Sequence, residues 1–377
     1  MQHLAGGMFM SVIKVAVLGT GFISNIHMES FQRFVRGAEV VAVWNPNPEH
    51  AKQFAEQHKI AQYYSDIDAL LRESGCDVVD ICLPNYLHHT YCLKAIEAGK
   101  HVIVEKPFCV SLREADEMLA AAREKGVTLF YAEQLCFAPK YERVRALINA
   151  GAVGDVYMLK QAERHSGPHT PWFYDVHRSG GGCVLDLACH GFGWFKWMLG
   201  EGCRIKSVQA NLSTVYHNEI TQGEDNAVVI LEYETADGKT VTCLSETSWA
   251  KPGGMDDRIE VYGTKGVTYA DLFQGNAALT YSTEGYDYAM EKADLSTGWT
   301  FTIYEEAFNQ GYPQELQHFI DCIRDGSQPV FSAQNGRDVM EAVYAVYESA
   351  RTGKKVELPF TSDAELPISL WKAIHSS

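Results

Sequence analysis

The stretch that most constrains the fold is Val12–His27, in which an apolar run leads into two glycines and then a helical pattern. The β-branched run Val12–Leu18 favours a strand that is buried on both faces. Gly19 allows a tight turn, and Gly21 lets a ligand approach the backbone where any other residue would place a Cβ. The N–H groups at the start of the next helix suit a bound diphosphate. The pattern indicates the dinucleotide-binding turn G-x-G-x-x-G, with Ser24 at the third glycine; the alternative is a turn that binds nothing.

Composition narrows the class of protein. The chain has 377 residues and a formal net charge of −16, which disfavours nucleic acids and anionic membranes as partners. Its 10 cysteines include no C-x-x-C pair and several lie in apolar runs, as expected of reduced, buried thiols. No apolar run is long enough to span a membrane, and residues 1–10, an expected tail, lack the pattern of a signal peptide. We therefore predict a cytoplasmic protein of two domains.

The first half of the chain alternates predicted strands with predicted helices. Ser111 is expected to cap a helix that continues through Lys125, with Glu114 as its capping-box partner. The other predicted helices are Glu49–His58 and Tyr86–Ala98, and further strands are predicted at Glu39–Trp44, Asp77–Leu83, His101–Val104 and Val127–Tyr131. This alternation is typical of a parallel, doubly wound sheet.

The pattern changes near Pro139. After a predicted helix come longer alternating runs that indicate a mainly antiparallel sheet with one helical face. The helix is Pro139–Ala150, the runs are Val156–Glu163, Ile205–Val215, Ala227–Tyr233, Thr240–Thr247 and Arg258–Val261, and two helices follow at Pro313–Arg324 and Asn335–Arg351. We predict an α/β protein: a doubly wound domain at residues 11–137 and an α+β domain with an open sheet at residues 138–377. Because an open sheet needs cover, we expect a homodimer or homotetramer.

Polar residues follow the predicted parallel strands, at the edge of the sheet where ligands bind. These strand ends are Gly19–Gly21, Trp44-Asn45, Leu83–Asn85 and Glu105–Pro107. Lys106 is notable because lysine is unusual at the end of a buried strand, although a surface lysine is an equal alternative. Glu105 is placed to hold its ammonium, and a cationic nicotinamide nearby would lower the pKa of Lys106 and suit it to proton transfer.

A second candidate site lies in the run 179–190, where three glycines precede Asp186 and His190. The glycines allow a close approach of the backbone, and on a helix Asp186 and His190 would share one face. An aspartate in this position can orient a histidine that acts as a general base. Taken alone, the pair favours the alternative of a helix cap at Asp186 and a core histidine at His190.

The glycine turn, Glu105-Lys106-Pro107, the three glycines and Asp186…His190 together resemble the Gfo/Idh/MocA family of NAD(P)-dependent oxidoreductases. The most specific segment of this resemblance is residues 95–107, and Tyr347–Ala350 extends it into the last long helix. The resemblance implies a Rossmann domain followed by a domain with an open antiparallel sheet, in agreement with the alternation pattern.

The resemblance also implies roles for individual residues. Lys106 would hydrogen-bond the reacting hydroxyl and form a cis bond to Pro107, His190 would take the hydroxyl proton, and Asp186 would bind a substrate hydroxyl or brace His190. The residues that would bind the cofactor are Gly19, Gly21, Phe22, Ile23, Asn45, Pro84, Asn85, His88, Glu105 and Lys106. Ser24 and Asn45 depart from the family pattern, the latter where an acidic residue would bind the adenosine ribose. No arginine or lysine directly follows Asn45 to take a 2′-phosphate, so we expect NAD rather than NADP.

The loop at residues 163–178 precedes the glycine run and is rich in aromatic residues. Aromatic rings offer apolar faces to the C–H side of a sugar; the alternative is a loop that covers the core or a subunit contact. The predicted substrate-binding residues are Arg164, His165 and Trp172 of this loop together with Lys106, Asp186 and His190. The spacing of His165, His169 and His177 fits no standard metal site, and we predict no bound metal.

Three functions are compatible with these residues. The first is an NAD-dependent dehydrogenase that oxidises a secondary hydroxyl of a sugar, glycoside or polyol. The second is a glycoside-processing enzyme of the same family, in which transient oxidation permits elimination and NAD is regenerated. The third, a non-catalytic cofactor sensor, would not need Lys106, Asp186 or His190. We expect a neutral sugar as substrate because the chain is acidic, unless Arg164 or Arg178 turns inward to pair with an acid.

Overall fold

The computed structural model describes residues 12–273, 278–284, 297–302 and 305–372. The expected tail at residues 1–10 and the outermost residues of the two predicted domains, 11 and 373–377, lie outside these ranges. All 10 cysteines are unpaired and buried, which confirms the prediction of buried thiols. Among the helices in the described ranges, none is both long and apolar enough to cross a bilayer.

The N-terminal half is a six-stranded parallel sheet in the order β3-β2-β1-β4-β5-β6, with helices between the strands. Its elements are β1 (Ile13–Leu18), α1 (Phe22–Arg33), β2 (Ala38–Trp44), α2 (Pro48–His58), β3 (Gln62–Tyr64), α3 (Ile67–Glu73), β4 (Val78–Ile81), α4 (His88–Glu97), β5 (His101–Val104), α5 (Leu112–Lys125) and β6 (Leu129–Tyr131). The predicted doubly wound sheet is confirmed. The chain order reverses between β1 and β4, and a crevice opens there beyond the carboxyl ends of the strands.

Local signals set the ends of these helices. Ser111 caps α5 by accepting a hydrogen bond from the Glu114 N–H at 3.2 Å, as predicted. The Glu114 carboxylate accepts from the Val110 N–H, whereas a capping box would use the Ser111 N–H. Strand β3 and helix α3 were not predicted, because a strand of 3 residues carries almost no periodic pattern.

The C-terminal half is a seven-stranded sheet in the order β12-β11-β7-β10-β9-β8-β15, and a separate hairpin joins β13 to β14. Its elements are α6 (Pro139–Asn149), β7 (Val156–Arg164), α7 (Val176–Ser179), α8 (Cys189–Leu199), β8 (Arg204–Ser213), β9 (Asn226–Glu234), β10 (Thr240–Ser248), β11 (Asp256–Gly263), β12 (Gly266–Asp271), β13 (Ala278–Ser282), β14 (Gly298–Thr302), α9 (Glu306–Gln310), α10 (Tyr312–Asp325), α11 (Ala333–Thr352), β15 (Val356–Glu357) and α12 (Ile368–Trp371). Only β7 and β10 pair in parallel within this sheet, so the prediction of a mainly antiparallel sheet is confirmed.

One face of the second sheet is covered and the other is open. Helices α8 and α11 pack on the covered face, where Trp194 and Phe192 are fully buried. The opposite face exposes large apolar side chains, among them Tyr157, Val228, Ile230 and Tyr269. A turn of 3₁₀ helix at Gln134–Phe137 connects the two halves, and the domain boundary predicted at residues 137 and 138 stays a prediction.

The backbone of the three glycines at 180–182 packs closely against other segments of the same chain. A Cβ on Gly182 would lie 1.9 Å from the Glu224 carbonyl oxygen, and one on Gly181 would lie 2.2 Å from the Tyr347 hydroxyl. The carboxylate of Glu224 accepts hydrogen bonds from the N–H groups of Gly182 and Val184 and from the Tyr347 hydroxyl. This buried carboxyl therefore fixes the turn that leads to Asp186.

Burial raises the pKa of Glu224 to about 7 from its ordinary 4.5, although its hydrogen bonds act in the opposite direction. The folded protein then holds a proton that the unfolded chain has released, so the free energy of unfolding falls as the pH rises between these values. Glu224→Gln stays neutral, so we expect it to gain stability relative to the native protein across this window, by up to about 3 kcal/mol. Urea unfolding at about pH 5 and about pH 8 measures the gain. A difference that is the same at both pH values, or an equal gain in the exposed control Glu357→Gln, would contradict the prediction.

Candidate active site

A cavity of about 510 Å³ lies between the two halves of the molecule, at the crevice beyond β1, β2, β4 and β5. Most of the predicted site residues line it, from both domains. They are Gly19, Gly21, Phe22, Ile23, Asn45, Pro84, Asn85, Glu105, Lys106, His165, Trp172, Asp186 and His190. The side-chain amide of Asn85 also donates a hydrogen bond to the Ser179 carbonyl at 2.8 Å, which ties the two walls together.

The glycine turn between β1 and α1 fits a dinucleotide diphosphate. Gly19 has a φ of 108°, and a Cβ there would lie 2.3 Å from the Cys82 carbonyl oxygen, so only glycine is accommodated. A Cβ on Gly21 would meet nothing within 4 Å, which leaves open space beside the first amides of α1. Ser24 is fully buried between the helix and the strand, so a serine is small enough for the place of the third glycine.

The end of β2 determines the environment offered to the adenosine ribose. The Asn45 side chain donates a hydrogen bond to the Thr20 hydroxyl at 2.7 Å and accepts one from the Asn47 N–H at 2.9 Å. Lys106, which follows β5, is the one lysine or arginine among the described residues that line the cavity. The cavity therefore offers no arginine to a 2′-phosphate, as expected for NAD.

Lys106 crosses the cavity to the second domain. Its Nζ donates to the Asp186 carboxylate at 2.9 Å and to the Asp186 carbonyl oxygen at 3.0 Å. The bond from Lys106 to Pro107 is cis, as the resemblance implied. Burial alone would lower the pKa of Lys106, but Asp186, Cys189 and Glu163 raise it above its ordinary value. The ion pair with Asp186 therefore opposes the lowering of the Lys106 pKa that we expected beside a nicotinamide. The side chain of Lys106 is a charged hydrogen-bond donor.

Glu105 does not hold the ammonium of Lys106, contrary to the expectation. Its carboxylate accepts from the backbone N–H of Lys106 at 3.0 Å and lies 2.9 Å from His27 Nε2. His27 Nδ1 lies 2.8 Å from the Asp80 carboxylate, so the imidazole bridges two buried acids. Burial lowers the pKa of His27, but Asp80 and Cys82 raise it well above its ordinary value. His27, Asp80 and Cys82 are close enough to share a metal ion, but the two hydrogen bonds already engage both ring nitrogens.

His88 does not reach the cavity, contrary to the prediction. Its ring is fully buried, with Nδ1 2.9 Å from the Pro107 carbonyl oxygen and Nε2 2.8 Å from the Leu83 carbonyl oxygen. Burial lowers the pKa of His88, although both carbonyl contacts raise it. His88 therefore links the loop after β4 to the loop after β5 on the side that faces away from the cavity.

Arg164 does not reach the cavity either. Strand β7 continues through Arg164, and side chains alternate along a strand, so Arg164 points away from the face that carries Glu163. Its guanidinium pairs with Asp256 and Glu246. Arg178 is half exposed, pairs with Asp175 and lies 5.9 Å from the centre of the Tyr86 ring. Neither arginine lines the cavity.

His190 is oriented by Glu133 rather than by Asp186. His190 Nδ1 lies 2.5 Å from the Glu133 carboxylate, and Nε2 lies 4.0 Å from the Glu163 carboxylate. Asp186 lies in a π-helical turn at Val184–Ala188 and, besides Lys106, accepts a hydrogen bond from the Trp249 indole at 2.9 Å. Glu133 was not predicted, although it lies two residues after the end of β6 and the rule that identified the other strand ends would have found it.

The aromatic loop closes one side of the cavity. Trp172 and Phe173 stack with ring centres 3.9 Å apart, and His169 stacks on Phe22 of the glycine turn at 4.0 Å. His165 is 2% exposed, and its Nδ1 accepts a hydrogen bond from the Gly167 N–H. The loop thus lines the cavity and also contacts the first domain.

Comparison with known proteins agrees with this architecture. Residues 13–133 match the oxidoreductase family model described as an NAD-binding Rossmann fold, and residues 141–269 match the GFO/IDH/MocA C-terminal domain. The chain is 28% identical to scyllo-inositol 2-dehydrogenase (NAD(+)) of Bacillus subtilis, over 92% of this chain and 96% of that protein. It is 26% identical to D-glucoside 3-dehydrogenase of Escherichia coli, over 94% of this chain and all of that protein.

A solved structure gives the same result for the fold. GenD2 from gentamicin A biosynthesis, in complex with NAD, superposes with a TM-score of 0.86 at 30% identity, covering 95% of this chain and 100% of that chain. The predictions of an enzyme, rather than a sensor, and of NAD as its cofactor are confirmed by these matches. The protein belongs to the Gfo/Idh/MocA family of oxidoreductases and carries its NAD-binding Rossmann domain.

Proposed function

We propose that the protein is an NAD-dependent dehydrogenase that oxidises a secondary hydroxyl of a sugar, glycoside or polyol to a ketone. The observation that carries the proposal is the convergence of Lys106, Asp186 and His190 on one cavity beside the glycine turn. A hydrogen-bond donor and a base on the same hydroxyl are what proton removal during such an oxidation requires. The names of the relatives, which act on an inositol and on glucosides, support this substrate class.

Each residue has a separate task in this mechanism. NAD⁺, when bound, supplies the acceptor for the hydride that leaves the carbon. The Lys106 ammonium donates a hydrogen bond to the reacting hydroxyl oxygen, and Asp186 keeps that ammonium charged and in place. Glu133 takes the hydrogen bond from His190 Nδ1, so Nε2 of the neutral ring remains an acceptor for the hydroxyl proton. Glu133 then stabilises the imidazolium that forms.

The charges around the cavity favour a neutral substrate. Glu105 and Asp186 line it, against the single permanent cation Lys106 among the described lining residues. Arg164 and Arg178 are paired elsewhere, so no bidentate partner is offered to a carboxylate or phosphate. The stacked rings of Trp172 and Phe173 provide an apolar face for a sugar ring.

The exposed apolar face of the second sheet supports a homo-oligomer. Tyr157, Val228, Ile230 and Tyr269 lie on four positions of one open face, where a second copy of the sheet would cover them. We infer a homodimer or homotetramer that forms through this face. The buried, unpaired thiols are those of a reducing compartment, so the cytoplasm is the location that we propose.

We expect neutral pyranosides and inositols to be oxidised with a higher kcat/KM than the matching uronic acids or sugar phosphates, because the cavity has no arginine fork. The measurement is NADH formation with methyl β-D-glucoside, aryl glucosides, scyllo-inositol, glucuronic acid and glucose 6-phosphate, with mass spectrometry of the products. Preference for the anionic members would contradict the proposal. Release of the aglycone without net formation of NADH would instead identify the glycoside-processing alternative. The stack of His169 on Phe22 favours this alternative because it covers the glycine turn that binds the cofactor.

We expect Lys106→Ala and His190→Ala each to lower kcat by about a hundredfold or more, because each removes a group in proton transfer. Cofactor affinity, measured by NADH fluorescence, should stay within about twofold of native if the roles are those proposed. Lys160→Ala is the matched control, since Lys160 lies on β7 but pairs with Glu260 away from the cavity. Near-normal turnover in either variant would remove that residue from the mechanism.

We expect Gly21→Ala to weaken NAD(H) binding by about tenfold or more, since its Cβ would occupy the space beside the first amides of α1. The melting temperature should stay close to native, because the same Cβ meets no protein atom within 4 Å. Ser24→Gly is the control, because Ser24 packs against the strand and is absent from the cavity wall. Titration calorimetry with NAD⁺ and NADH decides the prediction, and unchanged affinity in Gly21→Ala would place the diphosphate elsewhere.

A further inference from the structure

Two buried carboxyl side chains, one near His190 and one opposite it on the next strand, have no part in the mechanism above. Glu163 on β7 and Asp257 on β11 are directly opposite each other in the antiparallel register. They are 2% and 1% exposed. Residues opposite each other share one face of a sheet, with Cβ atoms about 5 Å apart. Two acids are thus held together, out of water, on the sheet face that supports the active site.

The surroundings disfavour ionisation of both acids at once. Burial first, and then Asp257, raise the pKa of Glu163 well above its ordinary value. Burial also raises the pKa of Asp257, against the hydrogen bond that its carboxylate accepts from the Tyr141 hydroxyl at 2.5 Å. The other titratable groups that face the pair are Lys106, Glu133, Asp186, His190, Asp256 and Asp271. Lys106 is already neutralised by Asp186, so one proton on the pair relieves the remaining repulsion.

Glu163 is the carboxyl placed to exchange a proton with His190. It lines the cavity, and its Oε1 lies 4.0 Å from His190 Nε2, a gap that a small side-chain rotation or one water closes. Glu133 already engages Nδ1, and Lys106 and Trp249 hold the two oxygens of Asp186. His190 is itself 2% exposed, so Glu163 is a nearer acceptor than bulk water for a proton that His190 has accepted.

We propose that Glu163 and Asp257 share one proton and together accept the proton that His190 removes from the substrate. The inference rests on the role of His190 given under the proposed function. The substrate O–H bond breaks as the Nε2–H bond forms, and the carbon loses its hydride with the electron pair to NAD⁺. The Nε2–H bond then breaks as an O–H bond forms on the ionised member of the pair. The pair passes from one proton to two and from a charge of −1 to neutral, and it later returns this proton to water.

The shared proton can be counted without any substrate. At about pH 7 the folded native protein carries it and the unfolded chain does not, so unfolding releases it. We expect the double variant Glu163→Gln/Asp257→Asn to release one proton fewer than native, obtained from the pH dependence of the urea-unfolding free energy. Equal proton release in native and variant proteins would overturn the shared proton.

The transfer step is tested with the panel member that gives the highest NADH yield. Glu163→Gln should lower kcat by about tenfold or more at neutral pH with cofactor affinity within about twofold of native, as for a lost proton-transfer group. Native kcat should fall as the pH drops into the range in which the pair holds two protons, and this limb should disappear in Glu163→Gln. Formate should restore part of the activity of Glu163→Ala. The control Glu260→Gln changes an acid on the outer face of β11, and its kcat and pH profile should match native.

The two proposals fail in different ways. If no panel member is oxidised, the function is wrong while the proton count still decides whether the pair shares a proton. If Glu163→Gln keeps native kcat and pH profile, or loses activity with an unchanged profile while formate fails to rescue Glu163→Ala, Glu163 is not the acceptor, and the function stands. A loss of His190→Ala activity together with native behaviour of Glu163→Gln would make His190 release its proton directly to water.

Discussion

The ion pair between Lys106 and Asp186 is the contact on which the site depends. Lys106 belongs to the loop after β5 of the first domain, and Asp186 belongs to the π-helical turn of the second. Two charges buried together are stable only when their geometry is good and their remaining polar atoms are satisfied. Trp249 satisfies Asp186 from the second sheet, and Glu105 holds the backbone of Lys106 from below. The cavity between the domains therefore has a fixed cation at its centre.

Acidic residues dominate the interior around this cation, and each is stabilised in its own way. Glu105 pairs with the imidazole of His27, which also contacts Asp80 and has a pKa above its ordinary value. Glu133 pairs with His190, whereas burial and its neighbour Asp257 raise the pKa of Glu163 and favour its neutral form. An interior built in this way suits proton transfer, since small movements of a proton change which group is charged. No arginine lies along the described cavity wall.

Errors in the site prediction trace to contacts between segments distant in sequence. Arg164 was assigned to a loop, but β7 extends one residue further, and the alternation of a strand then sends its side chain to the outer face. The family resemblance implies a place for His88 near the cofactor, beside Asn85, yet tertiary packing turns its ring behind the loops. Glu105 was assigned to the Lys106 ammonium as its neighbour, although His27, 78 residues away, competes for its carboxylate. In each case, contacts with residues that are close in space determine where the side chain lies, and adjacency in the sequence does not.

The sequence by itself determined the class of fold, because period and turn chemistry are local: the run into Gly19 and Gly21 requires a strand, a turn and a helix. It also determined which strand ends meet, since carboxyl ends of parallel strands share one edge. Only the tertiary structure decided which acid serves which base. Glu133 comes to His190 from 57 residues away, and Asp257 comes to Glu163 through the register of two strands that are far apart in the chain. Hydrogen bonds and charge burial act over a few ångströms, so such pairings exist only once the chain has folded.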